Sequence, residues 1–468
     1  MTIINILLIL LILIAMVFLM KHKSVKKQYM IIVAGITFLA FILHLILEGF
    51  RWQLYPLYLA VVISFGLSLF FIFNDKKFKS TGALRTVALI FSGILAVISG
   101  LLNFAFPVYE IPVPSGDLAI GTESFVLVDN NREEIYGEEG QRRIKIQLWY
   151  PAESTEGFDL VPWIEDGRVV TRSLAKDTGL PAFVLDHTTL IQSNSYSEAP
   201  ISESASDYPI VVISHGWRGF KNLHTDLAEE LASQGYIVVS IDHTYGSVAT
   251  VFGEDDIAYL NLDALPDRDE TSDFLGNANA LVNTYAGDIT LVLDELEKMN
   301  SGIVSSRFER KLDLDNIGLL GHSTGGGAGA AVAINDSRIK ALFGMDSWVE
   351  PIADTEIEKG LDIPTVFLRS ATWETGLNNV NLNLLVDENL SNTRLYQITG
   401  TTHYDFSMAY MYSPLTRNLG MTGDLDGDYL VTIFKSMMTD FFDQTLKVDN
   451  NVGLIIIDDP WAEVLKLK

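Results

Sequence analysis

The chain has 468 residues, no cysteine and a formal net charge of −26. Its length allows two or three domains, and the missing thiols exclude disulfides, thiolate catalysis and cysteine-bound zinc. The charge is unevenly spread: residues 1–106 carry nine Lys/Arg against two Asp/Glu, and the remainder carries 24 against 57. So acidic a remainder would repel nucleic-acid phosphates and argues against that partner; otherwise its acidity serves solubility.

Four apolar runs open the chain, at about 2–20, 30–48, 55–73 and 86–106. Each approaches the ~20 residues needed to cross ~30 Å of hydrocarbon, and none shows the polar face of a soluble core helix. The first has its basic cluster, KHKSVKK, after it rather than before and lacks a small-x-small cleavage site, so it reads as a retained span. Lys21, Lys23, Lys26 and Lys27 fill the first loop, Lys76, Lys77, Lys79 and Arg85 the third, and the second has only Arg51. That bias predicts cytoplasmic first and third loops. The expectation is a multi-pass protein of the cell membrane, with a transmembrane domain over 1–106 and an extracytoplasmic domain over 107–468. Trp52, Tyr55 and Tyr58 fit an aromatic belt at the outer interface, where His44 and Glu48, one turn apart, are expected to be wetted.

FPVYEIPVPSG (106–116) reads as a linker. Beyond it IKIQLWYP (144–151) alternates like a half-buried strand, and YPIVVISHG (208–216) and YIVVSID (236–242) are continuous apolar runs, as buried parallel strands are. FKNLHTDLAEELASQG between them has helical spacing and ends on Gly235. A helix over about 277–299 precedes the strand NIGLLG; strands follow at 339–346, 363–370 and 394–400, and a last helix at about 427–446. This alternation predicts an α/β fold with a mostly parallel sheet covered on both faces. Residues 152–206 fit it poorly and read as an insertion or a cap over the site.

Gly321-His322-Ser323-Thr324-Gly325 matches G-x-S-x-G between a strand and a helix, the context that motif requires. No lysine follows the glycines, so a phosphate loop is excluded. A serine hydroxyl needs a base to take its proton, and His403 is the only histidine after Ser323. The acid that orients the imidazole is Asp346 or Glu374; Asp346 is preferred because it sits directly at a strand end. Two backbone N–H groups should hold the oxyanion: that of Thr324 and, after the strand ending in Ser-His-Gly, that of Trp217. His215 then reads as a structural loop histidine rather than a base, and His243 as a candidate pocket-lining residue. DLDGD (424–428) hints at a calcium loop, but its glycine is misplaced for one. The chemistry needs neither metal nor cofactor.

IQLWYPAE, NSYSEAPIS, VVISHGWRGFKNLHTDLAEELASQGYIVVSIDHTYGS, GLLGHSTGGG, FGMDSWVEP and ITGTTHYDFSM occur in this order. Together, over about residues 110–446, the chain resembles the plasma-type platelet-activating factor acetylhydrolases and their bacterial relatives. Several of the motifs are shared with dienelactone-hydrolase-like and polyester-hydrolase proteins. The resemblance implies an α/β-hydrolase that cleaves short or oxidised sn-2 acyl chains from phospholipids without calcium. It also favours Asp346 over Glu374 and carries the second oxyanion donor to Trp217. The four spans are not part of the secreted enzymes' plan. The expectation is a membrane-anchored serine esterase acting on ester or phospholipid substrates; an acyltransferase serving an envelope acceptor and a catalytically dead sensor or scaffold are the competing readings.

Overall fold

The computed structural model describes residues 3–21, 24–74, 82–387, 393–447 and 461–468. Lys23, Lys76, Lys77 and Lys79, on which the orientation argument partly stands, lie outside the described residues. The chain forms two compact units, Met1–Tyr109 with Ser413–Leu415, and Glu110–Tyr412 with Thr416–Lys468.

The first unit holds α1 (Ile3–Met20), α2 (Lys27–Leu47), α3 (Tyr55–Phe73) and α4 (Gly82–Ala105). Three stretches, Lys27–Leu47, Trp52–Phe73 and Gly82–Ala105, are long and apolar enough to cross a membrane, and Ile4–Met20 is a shorter apolar helix. The unit is inside-out relative to a soluble protein. Leu39, Ile46, Val62 and Leu101 are exposed, whereas Asn5, Thr37, Ser64, Ser68, Ser92, Ser99 and Asn103 are buried. Small polar residues facing inward suit helices packed in hydrocarbon, where apolar surface gains nothing by hiding. Thr37, Ser68 and Ser92 return their hydroxyls to the carbonyls of Val33, Ser64 and Ala88, one turn back, which keeps them satisfied without water.

His44 departs from expectation. It is fully buried, its Nε2 lies 2.8 Å from Tyr58 Oη, and its Nδ1 lies 3.4 Å from Glu48, which Arg51 meets at 3.2 Å. Tyr58 therefore faces the bundle interior instead of joining an outer belt; Tyr55 is exposed.

In the second unit an eleven-stranded sheet runs in the order β13-β12-β11-β10-β9-β5-β6-β2-β1-β4-β3. Its strands are β1 (Ala119–Glu133), β2 (Gln141–Ala152), β3 (Leu160–Pro162), β4 (Gln192–Ser197), β5 (Tyr208–Ser214), β6 (Ile237–Asp242), β9 (Leu312–His322), β10 (Ile339–Met345), β11 (Thr365–Ser370), β12 (Thr393–Ile398) and β13 (Val464–Lys466); β7 (Ala249–Gly253) and β8 (Asp256–Tyr259) form a separate hairpin. The central six, β6-β5-β9-β10-β11-β12, are all parallel. Their apolar runs alternate between two cores because successive side chains take opposite faces. Ile210 and Val212 pack in one with Leu281, Tyr285 and Ile289, while Val211 and Ile213 pack in the other with Leu227, Leu231, Phe434 and Met437. Helices thus cover both faces: Phe274–Asn300 on the first, Thr225–Ser233 and Gly427–Phe442 on the second.

Residues 152–206 extend the sheet. Strand β4 pairs parallel with β1, and β3 lies outside it. The helix between them, Gly167–Asp177, is tied down where Asp166 meets Lys145 at 2.7 Å and the fully buried Lys221 at 2.6 Å. DLDGD begins the last helix: Asp426 accepts from the N–H groups of Asp428 and Tyr429 as its N-cap, an arrangement that explains the aspartate without a metal.

Candidate active site

Strand β9 ends at His322 and the next helix starts at Thr324. The whole reversal falls on Ser323, at φ 54° and ψ −122°. That conformation costs a residue with a side chain on the order of 1–3 kcal/mol. The flanking glycines make it feasible. A Cβ on Gly321 would stand 2.5 Å from the Gly325 carbonyl oxygen, and one on Gly325 would stand 2.1 Å from that of Ser214. The Ser323 carbonyl is held by the N–H groups of Gly326, Gly327 and Trp348 at 2.9, 3.1 and 2.8 Å.

Asp346 follows β10, beside β9 in the sheet, and His403 follows β12, two strands further on; both reach this serine. His403 Nε2 lies 2.9 Å from Ser323 Oγ, and its Nδ1 lies 2.6 Å from Asp346 Oδ2. A carboxylate only accepts, so Nδ1 carries the proton and Nε2 is free to accept from the serine hydroxyl. Asp346 has its own strained backbone at φ 43°. The Ser370 N–H and hydroxyl donate to its two oxygens at 2.7 and 2.9 Å. The histidine loop is fixed by a capping box. Asp405 accepts from the Thr402 N–H, the Thr402 hydroxyl and the Gly423 N–H at 2.6, 3.0 and 2.7 Å.

Two further rings lie against the imidazole. Trp373 stacks on it with centroids 5.0 Å apart and planes 4° apart, and His322 lies at 4.9 Å. Sequence reasoning missed Trp373, although it weighed its neighbour. Glu374 itself turns away and accepts from Gln397 Nε2, so it makes no bond to His403. His322 is kept neutral, burial and the nearby His403 pushing its pKa well below the ordinary range.

The remaining sides of the serine are backbone. A Cβ on Gly216 would stand 2.8 Å from Ser323 Cβ and 3.2 Å from its Oγ, so only glycine admits this approach. The Trp217 N–H has Thr324 Oγ1 at 3.3 Å, which brings the two expected oxyanion residues together beside Ser323.

Within this unit His215 and His243 make other contacts. His215 contacts the Gly216 carbonyl at 2.7 Å and Ser247 Oγ at 2.9 Å. His243 does not line a pocket. It is fully buried, with Nδ1 3.0 Å from Asp288 and Nε2 2.9 Å from Ser214 Oγ. This second Ser–His–Asp string was invisible in the sequence because no motif marks Ser214 as G-x-S-x-G marks Ser323. Burial favours a neutral His243 and by itself would raise Asp288; the charge of Arg142 and the hydrogen bonds from His243 and Arg142 instead hold Asp288 well below the usual carboxylate range. Among the described residues no three His, Asp or Glu converge to hold a metal ion.

A family model for platelet-activating factor acetylhydrolase, isoform II, matches residues 104–456. The chain belongs to that family. Among curated relatives it is 22% identical to the platelet-activating factor acetylhydrolase of Gallus gallus over 333 residues, covering 64% of this chain and 74% of that one. It is 22% identical to the Bos taurus protein of the same name over 390 residues, covering 76% and 80%. A probable 1-alkyl-2-acetylglycerophosphocholine esterase of Arthroderma benhamiae is 28% identical over 138 residues, 30% of this chain and 31% of the relative. Among solved structures, a ferulic acid esterase from Streptomyces cinnamoneus superposes with a TM-score of 0.59 at 22% identity, over 77% of this chain and all of that one. That likeness establishes the α/β-hydrolase fold. This member of the acetylhydrolase family is a carboxylic-ester hydrolase, preceded by apolar helices able to span a membrane.

Proposed function

We propose that the protein hydrolyses short or oxidised sn-2 acyl esters of phospholipids through an acyl-enzyme on Ser323. Ser323 Oγ attacks the ester carbonyl while His403 Nε2 takes its proton. The carbonyl oxygen, now negative, is held by the N–H groups of Trp217 and Thr324. Asp346 fixes the tautomer of His403 and stabilises the imidazolium. As the carbon–oxygen bond breaks, the imidazolium returns the proton to the leaving alcohol. Water, deprotonated by His403, then attacks the acyl-Ser323 carbonyl and releases the carboxylic acid with the serine restored.

The observation that carries this reading is the bridging imidazole, 2.9 Å from Ser323 and 2.6 Å from Asp346. The choice of lipid esters is supported by the names of the relatives and by the apolar helices. On the lysine and arginine bias, residues 107–468 stand outside the cell membrane, and residues 1–106 anchor them as a transmembrane domain. Anchoring beside a bilayer raises the local concentration of lipid esters.

The test is a substrate panel on the full chain in detergent and in phosphatidylcholine vesicles. Wild type should cleave p-nitrophenyl acetate and release acetate or short oxidised chains from the sn-2 position, with long unoxidised chains left intact. Ser323→Ala should do neither. Transfer of the acyl group to an added acceptor alcohol in preference to water would favour an acyltransferase. No turnover of any ester by wild type would overturn the proposal.

A further inference from the structure

We infer that His215 is a positioning residue: by gripping the Gly216 carbonyl it aims the N–H of the same peptide, that of Trp217, at the Ser323 corner. The inference rests on the reading of Ser323 and Trp217 above. It goes beyond that reading by assigning a task to a histidine that touches neither substrate nor triad.

The peptide between Gly216 and Trp217 is trans, as are all others in the described chain. In a planar trans peptide C=O and N–H point in opposite directions. Whatever fixes one therefore fixes the other. Two donors grip the Gly216 oxygen: His215 Nδ1 at 2.7 Å and the Gly219 N–H at 3.0 Å. On the opposite side the Trp217 N–H meets, among the described residues, Thr324 Oγ1 at 3.3 Å, a long bond that a developing oxyanion can replace. If the peptide turned over, a carbonyl oxygen would face that charge instead of a donor.

The ring is itself held. A carbonyl only accepts, so Nδ1 bears the proton and Nε2 accepts from the Ser247 hydroxyl at 2.9 Å. This needs a neutral imidazole, which full burial and the neighbouring His243 enforce by holding the pKa of His215 well below the ordinary range. His243 and Tyr285 pack edge-on against the ring at 5.1 and 6.0 Å. His243 is in turn locked by Asp288 and by Tyr285, stacked 3.7 Å away. The loop closes over the ring with glycine alone: a Cβ on Gly219 would stand 2.7 Å from His215 Nδ1. Between them Arg218 takes φ 63° and donates its N–H to the Gly246 carbonyl at 2.9 Å. The 243–248 segment thus grips the 215–219 loop, and His215 transmits that grip to the peptide that matters.

Two substitutions separate the two ends of the imidazole. In His215→Asn the amide nitrogen stands near the Nδ1 position and can still donate to Gly216. In His215→Gln the amide reaches the Nε2 position, serves Ser247 and leaves Gly216 without its donor. The full chain in detergent is assayed with p-nitrophenyl acetate and with a trifluoromethyl ketone, which adds to a serine as a tetrahedral oxyanion. The endpoint of fluorophosphonate labelling counts folded sites, so that misfolded protein does not enter kcat.

His215→Gln should lose about ten- to a hundredfold in kcat with KM little changed, somewhat less than the roughly 10²–10³ lost with a whole oxyanion donor because Gly219 still grips. Its affinity for the ketone should fall in parallel, and His215→Asn should recover most of both losses. Equal losses in the two variants, wild-type kcat in His215→Gln, or a loss confined to KM would overturn the inference. Those results with an inactive Ser323→Ala would leave the serine-esterase reading standing. Full activity in Ser323→Ala would remove both.

Discussion

The described residues hold two Ser–His–Asp strings, and the proposed mechanism assigns the reaction to one of them. In Ser323–His403–Asp346 the two contacts measure 2.9 and 2.6 Å; in Ser214–His243–Asp288 they measure 2.9 and 3.0 Å. By hydrogen bonding alone they are hard to tell apart. The difference lies in what surrounds the hydroxyl. Ser323 stands on a strained corner next to Gly216 and the Trp217 and Thr324 backbone, and the side chain of its histidine is 23% exposed. Ser214 ends a central strand, its histidine and aspartate are wholly buried, and Arg142 and Arg132 bind the aspartate at 2.6 and 2.8 Å. A triad is therefore not a pattern of three residues but a pattern with access and with donors for the charge that develops. The buried copy supports the loop beside the exposed one.

The comparison breaks if the strings can be exchanged. Ser323→Ala should lower kcat on p-nitrophenyl acetate by about 10⁴–10⁶-fold, whereas Ser214→Ala should keep it within a few-fold. The second change should show in stability instead, by about 1–3 kcal/mol, since it leaves the buried His243 Nε2 unpaired. Chemical denaturation measures that loss. Comparable kcat losses in the two variants would erase the distinction.

The aspartates sharpen it. Asp346→Asn should drop kcat on the order of 10⁴-fold with little change in melting temperature, because the wrong tautomer of His403 is then favoured. Asp288→Asn should instead destabilise by about 3 kcal/mol, since the buried Arg142 would keep only Glu134, at 2.9 Å, of its two carboxylate partners and Arg132 would lose its ion pair with Asp288. Kinetics and thermal melts on both variants decide.

Buried neutral histidines also give the hydrolase unit a pH dependence that belongs to folding rather than to catalysis. Burial lowers His224 from 6.5 to about 4. The unfolded chain therefore takes up this proton first as pH falls. The contribution is complete above about pH 6.5 and shrinks toward pH 4, by about 3 kcal/mol in all. His187, His215, His243 and His322 are lowered by burial and act in the same direction. Asp226, raised by burial to about 6, works in the opposite direction over this interval, so the clean readout is the difference between variants: between pH 7 and 4 His224→Gln, whose amide can keep the bond to the Phe406 carbonyl, should lose less melting temperature than wild type. An unchanged slope would contradict the assignment.

The smallest effect concerns Trp373. An indole stacked on an imidazole that becomes positively charged is worth about 1 kcal/mol. Trp373→Leu should cost a few-fold in kcat and leave KM nearly unchanged in steady-state assays.

Much of this was legible in the sequence where one local rule sufficed. Ser323 was marked by two glycines at positions where the structure leaves no room for a side chain, and His403 was the only downstream histidine. The strands at 208–214 and 237–242 were readable because burial on both faces leaves them almost wholly apolar. What stayed hidden has no local signature, whatever its spacing: Ser323 and His403 lie 80 residues apart, but a pentapeptide marks the serine. His243, Ser214 and Asp288 are separated by 29 and 45 residues, and no motif links them. Strand β1 escaped because Glu123, Asp129, Asn130, Asn131 and Arg132 break its apolar pattern on an outer strand. The strands within 152–206 were too short to assert a period, and Tyr58 looked interfacial until its hydroxyl was seen facing His44.

The site of covalent labelling tests Ser323 most directly. The full chain, treated with a fluorophosphonate and digested, should yield a single adduct on the peptide that carries Ser323, and His403→Ala should suppress it. An adduct on Ser214, or undiminished labelling of Ser323→Ala, would contradict the assignment.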